Sequence, residues 1–410
     1  MKDNKITILH VFIDGMTFSA VADNYETIAD VENLYLFYAP QQDFKLKKIK
    51  DDRVNIIHDF EKYVSYFSSP EIDVILFYSL PYQYYYLFDY IDNSKYVIWW
   101  AWGYDIYNGQ GNYPPLLPIG EMYKPLTKDF MLNKISKYSS PYTRRAYRFL
   151  RRCLRIPIRI WKMLSSQQAF DTPLIEPHKT QDEILARIDA IYAPLDVECE
   201  MLKKVHPTLT AEMFKRPQMP KVFPKPCKKE VGNVLVNHSL TYTVNHLDVF
   251  ESLYKVDLED KRKFVFPVSY GINGYKGDPY ILKSLAHFKK GQTLWLDKIL
   301  PYDQYQSLFS SISHAVFGMI RQQGLGNIFL CLRTGVKVYL YKDSIVYKEL
   351  KKMGYICYTI ENDLTTESLA TCLSEEDTLN NYNIFVQRCE SNAPEKCRAM
   401  LEQGIAKKVN

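Results

Sequence analysis

The chain has 410 residues, of which 47% are hydrophobic and 14% aromatic, a composition that excludes a disordered or fibrous protein. The length suits two domains better than one. The formal net charge is only +5, but it is unevenly held: Lys124 to Lys162 contain twelve basic residues and one acid, Asp129, giving +11 and leaving −6 for the rest.

The opening stretch, MKDNKITILHVFIDG, reads as a strand and not as a signal peptide, because its apolar run is short and no small-residue cleavage site follows. No stretch approaches the roughly 18 to 20 uncharged apolar residues that span a bilayer. The chain is therefore expected to be cytoplasmic, either soluble or peripheral to the membrane. Eight cysteines are irregularly spaced and form no C-x-x-C pair, which suits free thiols in a reducing compartment.

In chain order, strands are predicted at Lys5–Ile13, Asn33–Tyr38, Val54–His58, Ile72–Tyr78 and Tyr96–Trp102, each short and almost continuously apolar. Such runs suit strands buried on both faces of a parallel sheet. The spacers between them are long enough for crossover helices. From Asn108 the pattern gives way to a loop-like stretch, GQGNYPPLLPIG, then the basic segment, then DTPLIEPHKT. This reads as an insert at about 109–188 in a first domain of residues 1–220, which resumes with a strand at Asp189–Pro194. The Pro- and Lys-rich run around residues 217–229 is the expected linker. A second series follows at Gly232–His238, Lys263–Val268, Gln292–Ile299, Ala315–Met319, Val336–Tyr341 and Tyr355–Ile360, giving a domain at 230–377 with a helical tail at 378–410. The expected fold class is α/β, with two Rossmann-like, doubly wound domains facing a cleft.

Chemistry-bearing residues cluster at predicted strand ends. Arg321-Gln322-Gln323-Gly324-Leu325-Gly326-Asn327 lies between a strand and a helix. A Gly turn at a helix start exposes backbone amides, and a guanidinium suits phosphate oxygens, so the set fits a diphosphate. A purely structural turn is the alternative. Asn237-His238-Ser239 and Tyr270-Gly271 end two further strands of that domain, as ligand contacts or as ordinary caps. In the first domain, Trp99-Trp100-Ala101-Trp102-Gly103-Tyr104-Asp105 ends a strand, offering aromatic faces and a carboxylate to a sugar. The alternative is an aromatic core edge with Asp105 capping a helix. Asp14 has a similar position after the first strand.

The basic insert is amphipathic. Tyr147, Leu150, Leu154, Ile158 and Trp161 share a helix face, while Arg144, Arg148, Arg151, Arg152, Arg155 and Arg159 lie largely elsewhere, and Pro157 should kink or end the helix. A helix lying on an anionic membrane fits this pattern, as does a solvated face packed on the first domain. Nucleic acid is not the expected partner, because no recognisable nucleic-acid module surrounds the patch.

These motifs resemble those of the bacterial TDP-N-acetylfucosamine:lipid II N-acetylfucosaminyltransferases. The pattern W-x-x-W-G-x-D-x-Y is met by Trp99, Trp102, Gly103, Asp105 and Tyr107. A G-N-S segment followed by a helix-leading His is similar to Asn237-His238-Ser239 with His246. The block D-x-Y, R-Q-Q-G-x-G and a Gly-led strand matches Asp303, Tyr305, Arg321 through Gly326, and Gly335. The long basic insert and Trp100, where the family tends to carry His, depart from it. The resemblance implies a GT-B fold and metal-independent transfer of a deoxy-amino sugar from a nucleotide diphosphate, with TDP expected and UDP or GDP as alternatives. The implied acceptor is a polyprenyl-diphosphate-linked saccharide of surface polysaccharide synthesis. No D-x-D metal motif follows a candidate strand end, and no cofactor is called for. On this basis Asn237, Ser239, His246, Tyr270, Gly271 and residues 321–324, 326 and 327 are the expected donor contacts. Trp99, Trp102, Gly103 and Tyr107 are the expected acceptor contacts, with Asp105, then Asp14, as catalytic base. The rival reading is a non-catalytic sugar-nucleotide or polysaccharide-binding scaffold of the same fold.

Overall fold

In the computed structural model, residues 5–15, 18–108, 114–117, 122–137, 175–214, 223–257, 261–269, 288–298, 300–390 and 393–409 are described. Their strands form two wholly parallel sheets. The chain divides into two units. One comprises residues 1–118, 149–221 and 389–410, and the other residues 119–148 and 222–388.

In the first unit β1 is Ile6–Val11, β2 Val31–Tyr38, β3 Val54–Ile57, β4 Val74–Phe77, β5 Tyr96–Trp100, β6 Ala190–Tyr192 and β7 Glu212–Met213, in the order β3-β2-β1-β4-β5-β6-β7. β4 and β5 are buried at every position, which is why they read as continuous apolar runs. Ile8, Val74, Leu76, Ile98 and Trp100 share one core cluster with Phe18, Val21, Ala22 and Tyr25 from the helix Phe18–Tyr25. Cys397 and Leu401 join the same cluster, so the last helix, Pro394–Val409, packs on the first unit. β7 is two residues long and was not predicted. It is too short for any alternation to register in the sequence.

In the second unit β8 is Asn233–Val236, β9 Phe264–Pro267, β10 Thr293–Leu296, β11 Ile312–Phe317, β12 Lys337–Leu340 and β13 Tyr358–Thr359, in the order β10-β9-β8-β11-β12-β13. β11 starts three residues before the predicted Ala315, because its opening residues include polar ones that are nonetheless fully buried. The hydroxyl of Ser313 accepts the Gly232 N–H at 2.7 Å, and Nδ1 of His314 lies 3.1 Å from the Arg262 guanidinium. Satisfied hydrogen bonds let these groups sit where an apolar pattern would be expected.

The insert does not stay with one domain. Its described residues 122–137, with the helix Pro125–Lys137, fold on the helix His246–Leu253 of the second unit. The basic residues Arg144, Arg148, Arg151, Arg152, Arg155 and Arg159, and Trp161, lie outside the described residues. Among the described residues no helix is long and apolar enough to cross a membrane, and the cysteines are free.

Candidate functional site

In each sheet the strand order reverses once, between β1 and β4 and between β8 and β11. Loops that leave two neighbouring strands in opposite directions open a crevice at the strands' carboxyl ends, where doubly wound sheets take their ligands. In the second unit the two loops at this point are Asn237–Asn245 and Gly318–Gly324, the ones that carry most of the expected donor contacts.

Two buried asparagines fix the start of the second loop. Asn237 follows β8 with φ 58°, and its Oδ1 accepts the Gly318 N–H at 2.8 Å. Asn245 has φ 50°, and its Nδ2 donates to the Gly318 carbonyl at 2.7 Å. Asparagine tolerates this left-handed backbone better than other non-glycine residues. Position 318 itself has no room for a side chain, because a Cβ would stand 2.4 Å from the Val244 carbonyl oxygen.

Further along, Gln323 braces the two loops together. Its Oε1 accepts from the Thr243 hydroxyl at 2.8 Å and its Nε2 donates to Thr241 Oγ1 at 3.1 Å. Ser239, fully buried, is within 3.4 Å of Thr241. Gly324 then caps the helix Leu325–Arg333 with φ 65°. A Cβ there would meet Nδ1 of His238 at 2.5 Å, so both the backbone and the space require glycine. Two residues on, Gly326 is exposed and a Cβ would meet nothing within 4 Å. The Asn327 N–H turns back to the Gly324 carbonyl at 3.0 Å. The amides of Leu325 and Gly326 belong to the first helical turn, whose amides have no intrahelical acceptor.

The turn sets one cation, Arg321, beside a neutral imidazole. Burial, and next the Arg321 charge, hold the His238 imidazole down at about 4, so it stays neutral beside a half-buried guanidinium. His246 is buried, lowered to about 3 first by burial and then by His238, and packs its ring 5.7 Å from Phe250. Arg321, Gln322 and the 324–327 turn follow β11 at the carboxyl end of the second sheet. Asn237 and Ser239 are instead buried within the loops, His246 is buried at the head of the helix that follows, and the half-buried Gln323 braces the two loops. Tyr270 and Gly271 lie outside the described residues. Sequence reasoning passed over Asn245, Thr241, Thr243 and Gly318. An Asn directly before a helix start is a capping signal, but its positive φ is visible only in the fold.

The tryptophan motif of the first unit is a structural knot. Asp105 is 2% exposed. Its Oδ2 accepts the Leu80 N–H at 3.0 Å and Trp99 Nε1 at 2.9 Å, while Oδ1 accepts the Trp102 N–H at 2.7 Å. Trp102 Nε1 donates to the Tyr78 carbonyl at 2.5 Å, and the Tyr107 hydroxyl donates to Glu198. These bonds tie the ends of β4 and β5 to the helix Gly103–Tyr107, for which Trp102 and Asp105 form the cap. Burial pushes the Asp105 carboxyl up to about 7, against the pull of its three N–H donors. Trp99 and Tyr107 are as buried as Asp105, so these three side chains do not offer the exposed surface expected of acceptor contacts or of a base facing a cleft. Trp102 and Gly103 are half-buried. Asp14 is likewise occupied, accepting the backbone amides of Lys47, Lys48 and Ile49 at 2.7, 2.9 and 2.8 Å.

No protein-family model and no curated protein sequence matches the chain. Solved structures do. The lipopolysaccharide outer core galactosyltransferase WaaB in its apo form superposes with a TM-score of 0.52 at 9% identity, over 98% of this chain and 99% of that one. The Anabaena protein HepE, in complex with UDP and glucose, gives 0.51 at 9% identity, over 98% and 99%. The UDP-forming α,α-trehalose-phosphate synthase of Burkholderia vietnamiensis gives 0.54 at 8% identity, over 98% and 100%. Two parallel, doubly wound sheets with these neighbours over nearly the whole chain give the protein the GT-B fold.

Proposed function

We propose that the protein is a glycosyltransferase that takes a nucleotide-diphosphate sugar at the second unit's switch point. The observation that carries this reading is the Arg321–Asn327 turn: one guanidinium, an open helix N-terminus and an exposed Gly326 at the carboxyl ends of β8 and β11. Helix amides and a guanidinium offset the charge of a leaving diphosphate without a metal. HepE, which shares the fold, holds UDP and glucose in its complex, and this supports the same ligand class here. The finer reading, from the sequence motifs, is a TDP-linked N-acetylfucosamine-like sugar and a polyprenyl-diphosphate-linked saccharide as acceptor. The +11 segment then holds the enzyme at the inner face of the cytoplasmic membrane.

Calorimetric titration with UDP, TDP and GDP tests this proposal. At least one should bind, and Arg321→Ala should weaken it by about 1.5 to 3 kcal/mol, tenfold or more. A folded wild type that binds none of the three overturns the reading. A non-catalytic sugar-nucleotide-binding scaffold is favoured by one observation: Asp105 and Asp14 both spend their oxygens on N–H groups of their own unit. Nucleotide release from the bound donor sugar in the presence of membrane acceptor separates the two, because a scaffold gives binding without turnover.

A further inference from the structure

Gly318 is held from both sides, and one of its two holders also grips a remote segment. The Asn245 amide donates to the Gly318 carbonyl at 2.7 Å and to the Met122 carbonyl at 3.3 Å, while its Oδ1 accepts the Lys124 N–H at 2.9 Å. One buried side chain therefore joins the first residue after β11 to residues 122–124, which lead into the helix Pro125–Lys137. The next turn of the same segment is fastened by Asp248, three residues on from Asn245. Its Oδ1 accepts the Leu126 N–H at 2.9 Å, and its Oδ2 accepts the Thr127 N–H at 2.9 Å and the Thr127 hydroxyl at 2.7 Å. A carboxylate on one helix thus caps the start of another. Lys124 adds an ion pair to Asp343 at 2.9 Å and lies 4.4 Å from the centre of the Tyr341 ring, just after β12. Phe130 and Leu126 complete the dock against the second unit's core.

We infer that Asn245 is a positioning residue through which docking of the 122–131 arm sets the geometry of the Arg321–Gly324 turn. The physical reason is that a buried amide with three partners has no alternative acceptors. If the arm leaves, the Asn245 side chain loses its Met122 and Lys124 bonds at once, and its hold on Gly318 is no longer constrained in direction. Gly318 has no side chain of its own to anchor it and keeps a firm hold only at its N–H, from Asn237, so the start of the turn is then fixed from one side. The coupling lies within this unit alone and rests on the proposed nucleotide site only for its functional consequence.

The first variant removes the dock without touching the turn. Asp248→Ala should weaken binding of the best of UDP, TDP and GDP by roughly three- to thirtyfold on folded protein. In the ligand-free protein it should speed hydrogen exchange at amides 318–324. Asn245→Gly, which keeps the left-handed backbone, should do the same. The double variant should lose no more than Asn245→Gly alone, since both act through one link. Asp248→Asn keeps one acceptor oxygen and serves if Asp248→Ala does not fold. Unchanged exchange at 318–324 in a folded variant whose arm exchanges faster overturns the coupling, whether or not any nucleotide binds. Unchanged nucleotide affinity alongside faster exchange at 318–324 also overturns it as a functional device. Failure of the wild type to bind any nucleotide overturns the donor-site proposal instead, and the exchange measurement still decides the coupling.

Discussion

Asp105 illustrates how a residue can look catalytic and be structural. Both its oxygens accept N–H groups, so Asp105→Asn turns an NH2 against at least one donor inside the fold. The variant should lose about 1 to 3 kcal/mol of stability in denaturant titration. Its effect should also depend on pH. The folded carboxyl sits at about 7, above its usual value, so between about pH 4 and 7 the unfolded chain has released a proton that the folded one keeps. Stability from this group therefore falls as pH rises through that window. The gap between wild type and Asp105→Asn should be wider at pH 5 than at pH 8, and a gap that widens with pH would show the sign to be wrong. Glycines 324 and 326 make the opposite pair. Gly324→Ala forces a positive φ and collides with His238, and should cost about 1 to 3 kcal/mol. Gly326→Ala meets nothing in the fold, so its thermal midpoint should match wild type. If Gly326→Ala nonetheless lowers nucleotide affinity, the open space there belongs to the ligand.

At the scale of elements, the two sheets owe their legibility to burial. Strands such as β4 and β5 are covered on both faces, so nothing polar interrupts them and their sequence announces them. The knot at the end of β5 and the loops after β8 and β11 were visible as motifs, yet their roles were not. A Trp–Asp or Asn–His cluster looks the same in sequence whether its polar atoms face a ligand or each other. The helix Pro125–Lys137 was hidden for a different reason. Its own sequence carries no strong apolar stripe for the second unit, and its attachment comes from Asp248, more than a hundred residues away. Thr127→Val should loosen this helix while leaving the sheet intact, by deleting one hydrogen bond of about 1 kcal/mol. Faster hydrogen exchange confined to residues 125–131 is the expected signature, and a global change in exchange would argue against so local a bond.

For the whole molecule, three buried histidines, His10, His246 and His314, and the half-buried His238 work against stability in acid. Burial holds His10 and His246 at about 3 and His238 and His314 at about 4. Each is neutral in the fold but takes a proton in the unfolded chain below its ordinary value of about 6.5. These groups contribute stability that is present above about pH 6.5 and is lost as pH falls toward 4. Asp105 works in the reverse sense but is one group against four. The thermal midpoint should therefore be lower at pH 5 than at pH 7.5, and equal midpoints would count against the burial of these rings. The proposed membrane attachment also belongs to this scale. Each exposed Lys or Arg near an anionic bilayer contributes about 1 kcal/mol, screened over about 10 Å at 0.1 M salt. The protein should sediment with anionic vesicles at low salt, not with neutral ones, and replacing Arg148, Arg151, Arg152 and Arg155 by Ser should release it with nucleotide binding intact. A wild type that ignores anionic vesicles at low salt would make the basic segment a structural or partner-binding region.

By itself the sequence determined the fold class, the two sheets and the turn that carries Arg321, because each depends on local pattern: apolar continuity, crossover spacing, and glycine at a helix start. Only the tertiary structure decided which polar residues serve the fold. Asp105, Asp14, Gln323 and His246 have the right chemistry for a site, but their partners lie on other loops and strands. Whether a carboxylate meets a substrate or N–H groups of the fold depends on which chain segments arrive beside it, as Leu80 does at Asp105 and residues 47–49 do at Asp14. The same holds for the arm at 122–131, whose place in the second unit is settled by Asn245 and Asp248 meeting backbone groups that any sequence would supply.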